Sequence, residues 1–114
     1  MKETIGIRLT ELASQYVSIF LSEAQTETYP YAVYTSNVSP VYTKSGIHHY
    51  EASVIVTVYA KDLEVVNPIA DAIREAVNNN MNIAPYASRQ SSDVSDCVDE
   101  IWSRELSFTI KQYR

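Results

Sequence analysis

Residues 50–77, YEASVIVTVYAKDLEVVNPIADAIREAV, change their apolar period part-way along, and that change decides the fold class. From Tyr50 to Ala60 the period is two. Tyr50, Ala52, Val54, Val56, Val58 and Ala60 share one face, and Glu51, Ser53, Ile55, Thr57 and Tyr59 share the other, as a half-buried antiparallel strand requires. With His49 this strand spans His49 to Ala60. From Leu63 the spacing becomes three and four. Leu63, Val66, Ala70, Ile73 and Val77 then form one stripe of an amphipathic helix. Two starts fit this helix. Asp62 can cap it, its carboxylate accepting a free first-turn amide, but Pro68 then removes an internal hydrogen bond. Alternatively Asn67 is the cap and Pro68 takes the favoured first position.

Toward the C-terminus, Asn78, Asn79 and Asn80 end the helix, since asparagine tolerates left-handed backbone. Met81 to Ser88 reads as a short strand. Arg89 to Asp99 is polar and reads as an exposed loop. Glu100 to Tyr113 alternates again, with Trp102, Arg104, Leu106, Phe108 and Ile110 on one side, and closes the chain as a strand.

Toward the N-terminus, Lys44-Ser-Gly46 is a turn signal. Val38 to Thr43, interrupted by Pro40, is an edge strand or an extended connection. Tyr31 to Ser36 is rich in aromatic and β-branched residues and reads as a strand, entered through Pro30. Gln25 to Pro30 has no period and reads as a loop. Ile5, Leu9, Leu12, Tyr16, Ile19 and Phe20 predict an amphipathic helix from about Glu3 to Glu23. The order is α-β-(β)-β-α-β-β. The expected fold is α+β, with two helices on one face of an antiparallel sheet of about four strands, in a single domain over residues 1–114.

With 114 residues the chain can bury roughly two thirds of its unfolded surface, so no metal or disulfide staple is needed. A net charge of −5, with the basic residues scattered singly, argues against a grip on nucleic-acid phosphates. The single cysteine, Cys97, has no internal partner, and no stretch reads as a signal peptide or membrane span. The expected compartment is a cytosol. Only Gly6 and Gly46 are glycines, which excludes a glycine-rich phosphate loop and a nucleophile elbow.

The candidate chemical groups each have a plainer reading. His48 and His49 are adjacent, so on a regular strand they point to opposite faces and cannot chelate one metal. They are expected to flank the turn after Gly46. Asp93, Asp96, Asp99 and Glu100 lack the alternate spacing and glycine of a calcium loop and read as a solvated segment. Cys97 has no nucleophile signature. Asp71, Arg74 and Glu75 read as an ordinary solvated helix face. No catalytic, cofactor-binding or metal residue is expected. Tyr29, Tyr31, Tyr34, Tyr42, Tyr50 and Tyr59 gather in the sheet half, where tyrosine serves either cross-strand packing or a protein interface.

Several segments together resemble the phage tail-completion and tail-terminator proteins. Tyr29-Pro-Tyr-Ala-Val-Tyr34 looks like the proline-led strand of that family. Tyr50 to Ala60 looks like its long central strand, Ile69-Ala-Asp-Ala-Ile-Arg-Glu-Ala-Val77 like the helix that follows, and Glu105-Leu-Ser-Phe-Thr-Ile110 like its closing strand. The resemblance runs from about residue 5 to 112. The tyrosine richness, the scarcity of glycine and Pro68 depart from the family pattern.

The resemblance implies a non-enzymatic structural protein of a phage or prophage. It would complete the tail and help join it to the head. The implied assembly is a ring, commonly hexameric. Its partners would be further copies of itself and the tail-tube and head-connector proteins, with DNA only passing through the lumen. Its place would be the virion, assembled in the bacterial host cytoplasm, with no membrane. A ring needs two different patches on each subunit. The segment Ser39–His49 reads as an extended arm suited to one of them, with Pro40, Tyr42, Lys44, His48 and His49 as interface residues. Two other classes remain open: a small bacterial α+β module that binds a ligand or partner, and a small enzyme with a site shared between subunits.

Overall fold

The computed structural model describes residues 5–21 and 28–113. The elements run α1 (Ile5–Ala13), β1 (Ser18–Leu21), β2 (Tyr31–Thr43), β3 (Gly46–Ala60), α2 (Leu63–Asn80), β4 (Tyr86–Val98) and β5 (Ile101–Tyr113). The five strands form one sheet in the order β1-β2-β3-β5-β4. β1 runs parallel to β2, and every other pair is antiparallel. The fold is therefore α+β, with a mixed sheet of five strands rather than an antiparallel one of about four.

The core follows the period-two faces of β3 and β5. Ala52, Val54, Val56, Val58 and Ala60 are buried beside Leu106, Phe108 and Ile110. In register, Val54 lies opposite Phe108, Val56 opposite Leu106 and Ala52 opposite Ile110. From above, α2 buries Val66, Ala70, Ile73, Ala76 and Val77 into this layer, and α1 adds Ile5, Leu9, Leu12 and Ala13. Each fully buried aliphatic side chain contributes about 1.5–3 kcal/mol.

Helix α2 takes the Asp62 start. The amides of Val65 and Val66 both donate to the Asp62 carbonyl, at 3.1 Å each. Asp62 has extended backbone (φ −125°) but its side chain makes no capping hydrogen bond. Pro68 thus lies inside the helix, where it leaves the Glu64 carbonyl without its helical donor. It is exposed, so water can take that place.

Three expectations are corrected. The first helix stops at Ala13, and the expected continuation breaks into a turn followed by β1; the expected end at Glu23 lies outside the described residues. The Tyr16 and Val17 amides both bond the Ala13 carbonyl, which closes the helix. Ser14, Tyr16, Val17 and Ser18 are poor helix formers, and Val17 and Ile19 reach the core from the turn and strand instead. Second, the polar run expected as a loop from Arg89 to Asp99 is most of β4, which pairs along β5 from Tyr86 to Val98. The expected strand from Met81 begins only at Tyr86. Third, Val38–Thr43 is an edge strand, as one of its two readings has it, but it is continuous with Tyr31–Ser36 as the far half of β2, beyond the reach of β1.

A bulge in β4 connects the layers. The register steps from Gln90–Phe108 to Ser92–Ser107, which leaves Ser91 as an extra residue and reverses the facing of everything after it. Asp93 consequently turns toward the helix side. There its carboxylate accepts two hydrogen bonds from Arg104 of β5, at 2.8 and 2.6 Å. Arg104 Nη1 also donates to Asp71 of α2 at 2.7 Å. Arg74 closes the circuit, 3.4 Å from Asp71 and 3.7 Å from Asp93. Asp71 and Arg74 are therefore part of a tertiary ion network, not an ordinary solvated helix face. The bonds from Arg104 hold the Asp93 carboxyl below the usual carboxylate range, against the opposing effect of burial. The same bonds hold the Arg104 guanidinium protonated.

Candidate assembly surfaces

Both helices lie on one side of the sheet, so among the described residues nothing covers the other side. Register places Val33, Thr57, Glu105 and Val94 in one row across it, and Thr35, Ile55, Ser107 and Ser92 in the next. Ile55 and Val94 are exposed there. The fifteen residues of β3 span roughly 50 Å at strand rise, which matches the longest molecular dimension of 52 Å. The tip of the β2–β3 hairpin and the tip of the β4–β5 hairpin therefore lie at opposite ends of an elongated molecule.

The first tip is the expected arm. Thr43 pairs with Gly46 across a two-residue turn, and Gly46 takes φ 115°, a value open mainly to glycine. The Thr43 hydroxyl braces the turn by accepting the Ser45 amide at 3.3 Å. Lys44 is exposed at the tip, Tyr42 is 68% exposed, and Pro40 is exposed opposite Tyr50.

His48 and His49 depart from the sequence expectation. The register passes from Val41–His49 to Tyr42–Ile47, so His48 is an extra residue in a bulge. A bulge abolishes the strict alternation of a regular strand. The two rings meet, with Nδ1 to Nδ1 at 2.7 Å, one nitrogen donating and the other accepting. Both rings also pack on Tyr113. His49 is buried, and its Nε2 lies 3.8 Å from a Glu51 carboxylate oxygen. The structure thus divides the five arm residues: Pro40, Tyr42, Lys44 and His48 face solvent, while His49 anchors the arm's base. Among the described residues, no group of three or more His, Cys, Asp or Glu side chains is placed to hold a metal.

At the opposite end lies a feature the sequence reading did not assemble. Tyr31 stacks between Tyr29 and Tyr59, with ring centroids 5.2 Å apart on each side. Burial and the neighbouring phenols raise the Tyr31 pKa. These rings and the β4–β5 turn line a cleft of about 370 Å³ with Val98, Asp99 and Ile101 on its rim. Asp99 and Glu100 form that turn with φ of 52° and 67°. The clustering of Tyr29, Tyr31 and Tyr59 in the sheet half was visible in sequence. Their neighbours across the cleft were hidden, because the turn that delivers them contains no glycine.

No helix among the described residues is long and apolar enough to cross a membrane. The sequence matches no protein-family profile, and no curated protein matches it. The fold does have relatives of known structure. One is a chain in the virion of a native gene transfer agent particle, at 14% sequence identity and a TM-score of 0.59. The match covers 93% of this chain and 84% of that one. At that identity the likeness establishes a shared fold over nearly the whole domain.

Proposed function

We propose that this chain is a non-enzymatic structural protein of a phage or phage-derived particle. It completes or terminates the tail and helps join it to the head, acting as a ring, with six subunits as the expected number. The observation that carries this reading is the likeness, over 93% of the chain, to a chain of a gene transfer agent virion. The surfaces support it. Among the described residues one sheet face is uncovered and β4 leaves a long edge unpaired, and two hairpin tips of different character stand at opposite ends. A ring of identical subunits uses such unlike patches, because each contact is heterologous.

In this reading Pro40, Tyr42, Lys44 and His48 meet the neighbouring subunit, and His49 holds the arm in position. The tail-tube and head-connector proteins bind the ring's two ends. The net charge of −5 suits a lumen through which DNA passes without adhering. The protein's place is the head–tail joint of the virion, reached by assembly in the bacterial host cytoplasm.

Two experiments test the proposal together. Negative-stain microscopy of the purified chain, alone and with its tail tube, should show rings as wide as the tube. Deleting the gene should leave full heads and unjoined tails. Joined, infectious or DNA-transferring particles from the deletion strain would refute it.

A further inference from the structure

We propose that the arm tip of one subunit docks in the tyrosine cleft of the next, with Tyr42 as the inserted side chain and Lys44 paired to Asp99. This inference rests on the ring reading and names the contact that builds the ring. Three observations carry it.

The first is shape. Tyr42 is 68% exposed on a braced hairpin, a large aromatic ring with no cover. The cleft of about 370 Å³ at the other end is open and walled by Tyr29, Tyr31 and Tyr59. It has room for one aromatic side chain. Aromatic rings favour offset-stacked and edge-to-face neighbours, and a cleft of three tyrosines offers both.

The second is charge. The arm tip carries Lys44, which is exposed. The cleft end carries Asp99 on its rim, with Glu100 and Asp96 on the same hairpin, all exposed, which outweigh Lys61, 5.9 Å from the Tyr29 ring centroid. Opposite charges at the two ends set the direction of docking and disfavour tip against tip or cleft against cleft.

The third is distance. The hairpins lie at the two ends of a molecule 52 Å long, so no chain can fill its own cleft. An arm tip seated in the cleft therefore belongs to a second copy. The contact joins unlike patches, so it propagates from subunit to subunit and closes when the rotation allows.

Cross-linking tests the contact directly. In a Cys97→Ser background, Ser45→Cys at the arm tip and Val98→Cys at the cleft are combined in one chain, with Tyr42 and Lys44 left in place, and oxidised at high protein concentration. The expected result is a ladder of covalent oligomers beyond the dimer on non-reducing gels. Each single-cysteine control stops at the dimer. Adding Asp99→Asn, which keeps a residue tolerant of left-handed backbone, should lower the ladder yield by about two- to fivefold. Rings in the microscope with no ladder would overturn this contact and leave the ring reading standing. A chain that gives neither ladder nor rings, with or without its tail tube, would overturn both.

Discussion

Replacing Arg104 with methionine removes the buried guanidinium that donates to both Asp93 and Asp71. Methionine keeps much of the side-chain length and apolar stem, so packing changes little while three short hydrogen bonds disappear. Breaking a fully buried ion pair by deleting one partner costs about 3–5 kcal/mol. Here the acids are less buried: the Asp93 side chain is 28% exposed and that of Asp71 is 46% exposed. Water reaches both, and Arg74 remains near each, so the expected loss is smaller, about 2–3 kcal/mol. Urea unfolding followed by circular dichroism measures it. Asp93→Asn should cost about 1–2 kcal/mol by itself. The double variant should cost less than the sum of the two, with a coupling of about 1 kcal/mol or more. Additive losses, or a loss below about 0.5 kcal/mol for Arg104→Met, would refute the view that this network ties α2 to β4 and β5.

Four further outcomes follow from the same structure. The Asp93 carboxyl titrates lower in the folded chain than in the unfolded one, where its value is near 3.8. Its contribution is therefore complete above that value and is lost as pH falls through the folded pKa, so urea midpoints of wild type and Asp93→Asn should run parallel from about pH 5 to 8 and converge below about pH 4. Glu100→Gly relieves a left-handed residue with a β-carbon and should raise stability by about 0.5–1 kcal/mol in thermal unfolding, whereas a loss would mean the Glu100 side chain holds the turn. Pro68→Ala restores a helical hydrogen bond in α2 and should stabilise by about 1–2 kcal/mol, less than the full proline penalty because alanine also loosens the unfolded chain. Deleting Ser91 removes the bulge but leaves Asp93 opposite Leu106 on the helix side, so the Arg104 side-chain NMR resonance should keep its hydrogen-bonded shift, whereas loss of that shift would mean that the bulge geometry itself places Asp93.

The sequence reveals those elements whose two sides see different surroundings. β3, α2 and β5 each bury one side, and burial imprints a period of two or 3.6 on the residue types. β4 is uniformly exposed from Ser91 to Val98, so nothing in its composition marks a strand. Its place comes from backbone hydrogen bonds to β5, which do not depend on side-chain type. β1 was hidden for another reason: Ile19 and Phe20 fall on a helical spacing that continues from Leu12. The expected spread of the His48–His49 pair failed because a one-residue bulge is set by the opposite strand. Arg104 carried a signal that could have been used. A lone charge on the apolar face of β5 must find a partner when buried. That partner, Asp93, could not be placed without the Ser91 bulge.

The arm residues show the same division. Pro40, Tyr42 and Lys44 are legible as a projecting hairpin because proline, glycine and polar turn chemistry mark it. The tyrosine cleft at the other end depends on how β2, β3 and the β4–β5 turn meet in space. Surfaces made by distant segments leave no local pattern.

In the proposed role, this chain sits at the junction of head and tail. Electron microscopy of purified particles, decorated with a gold-labelled antibody raised against the chain, tests it most directly. Label confined to the head-proximal end of the tail is the predicted result. Label spread along the tail tube, or particles carrying none of the chain, would contradict it.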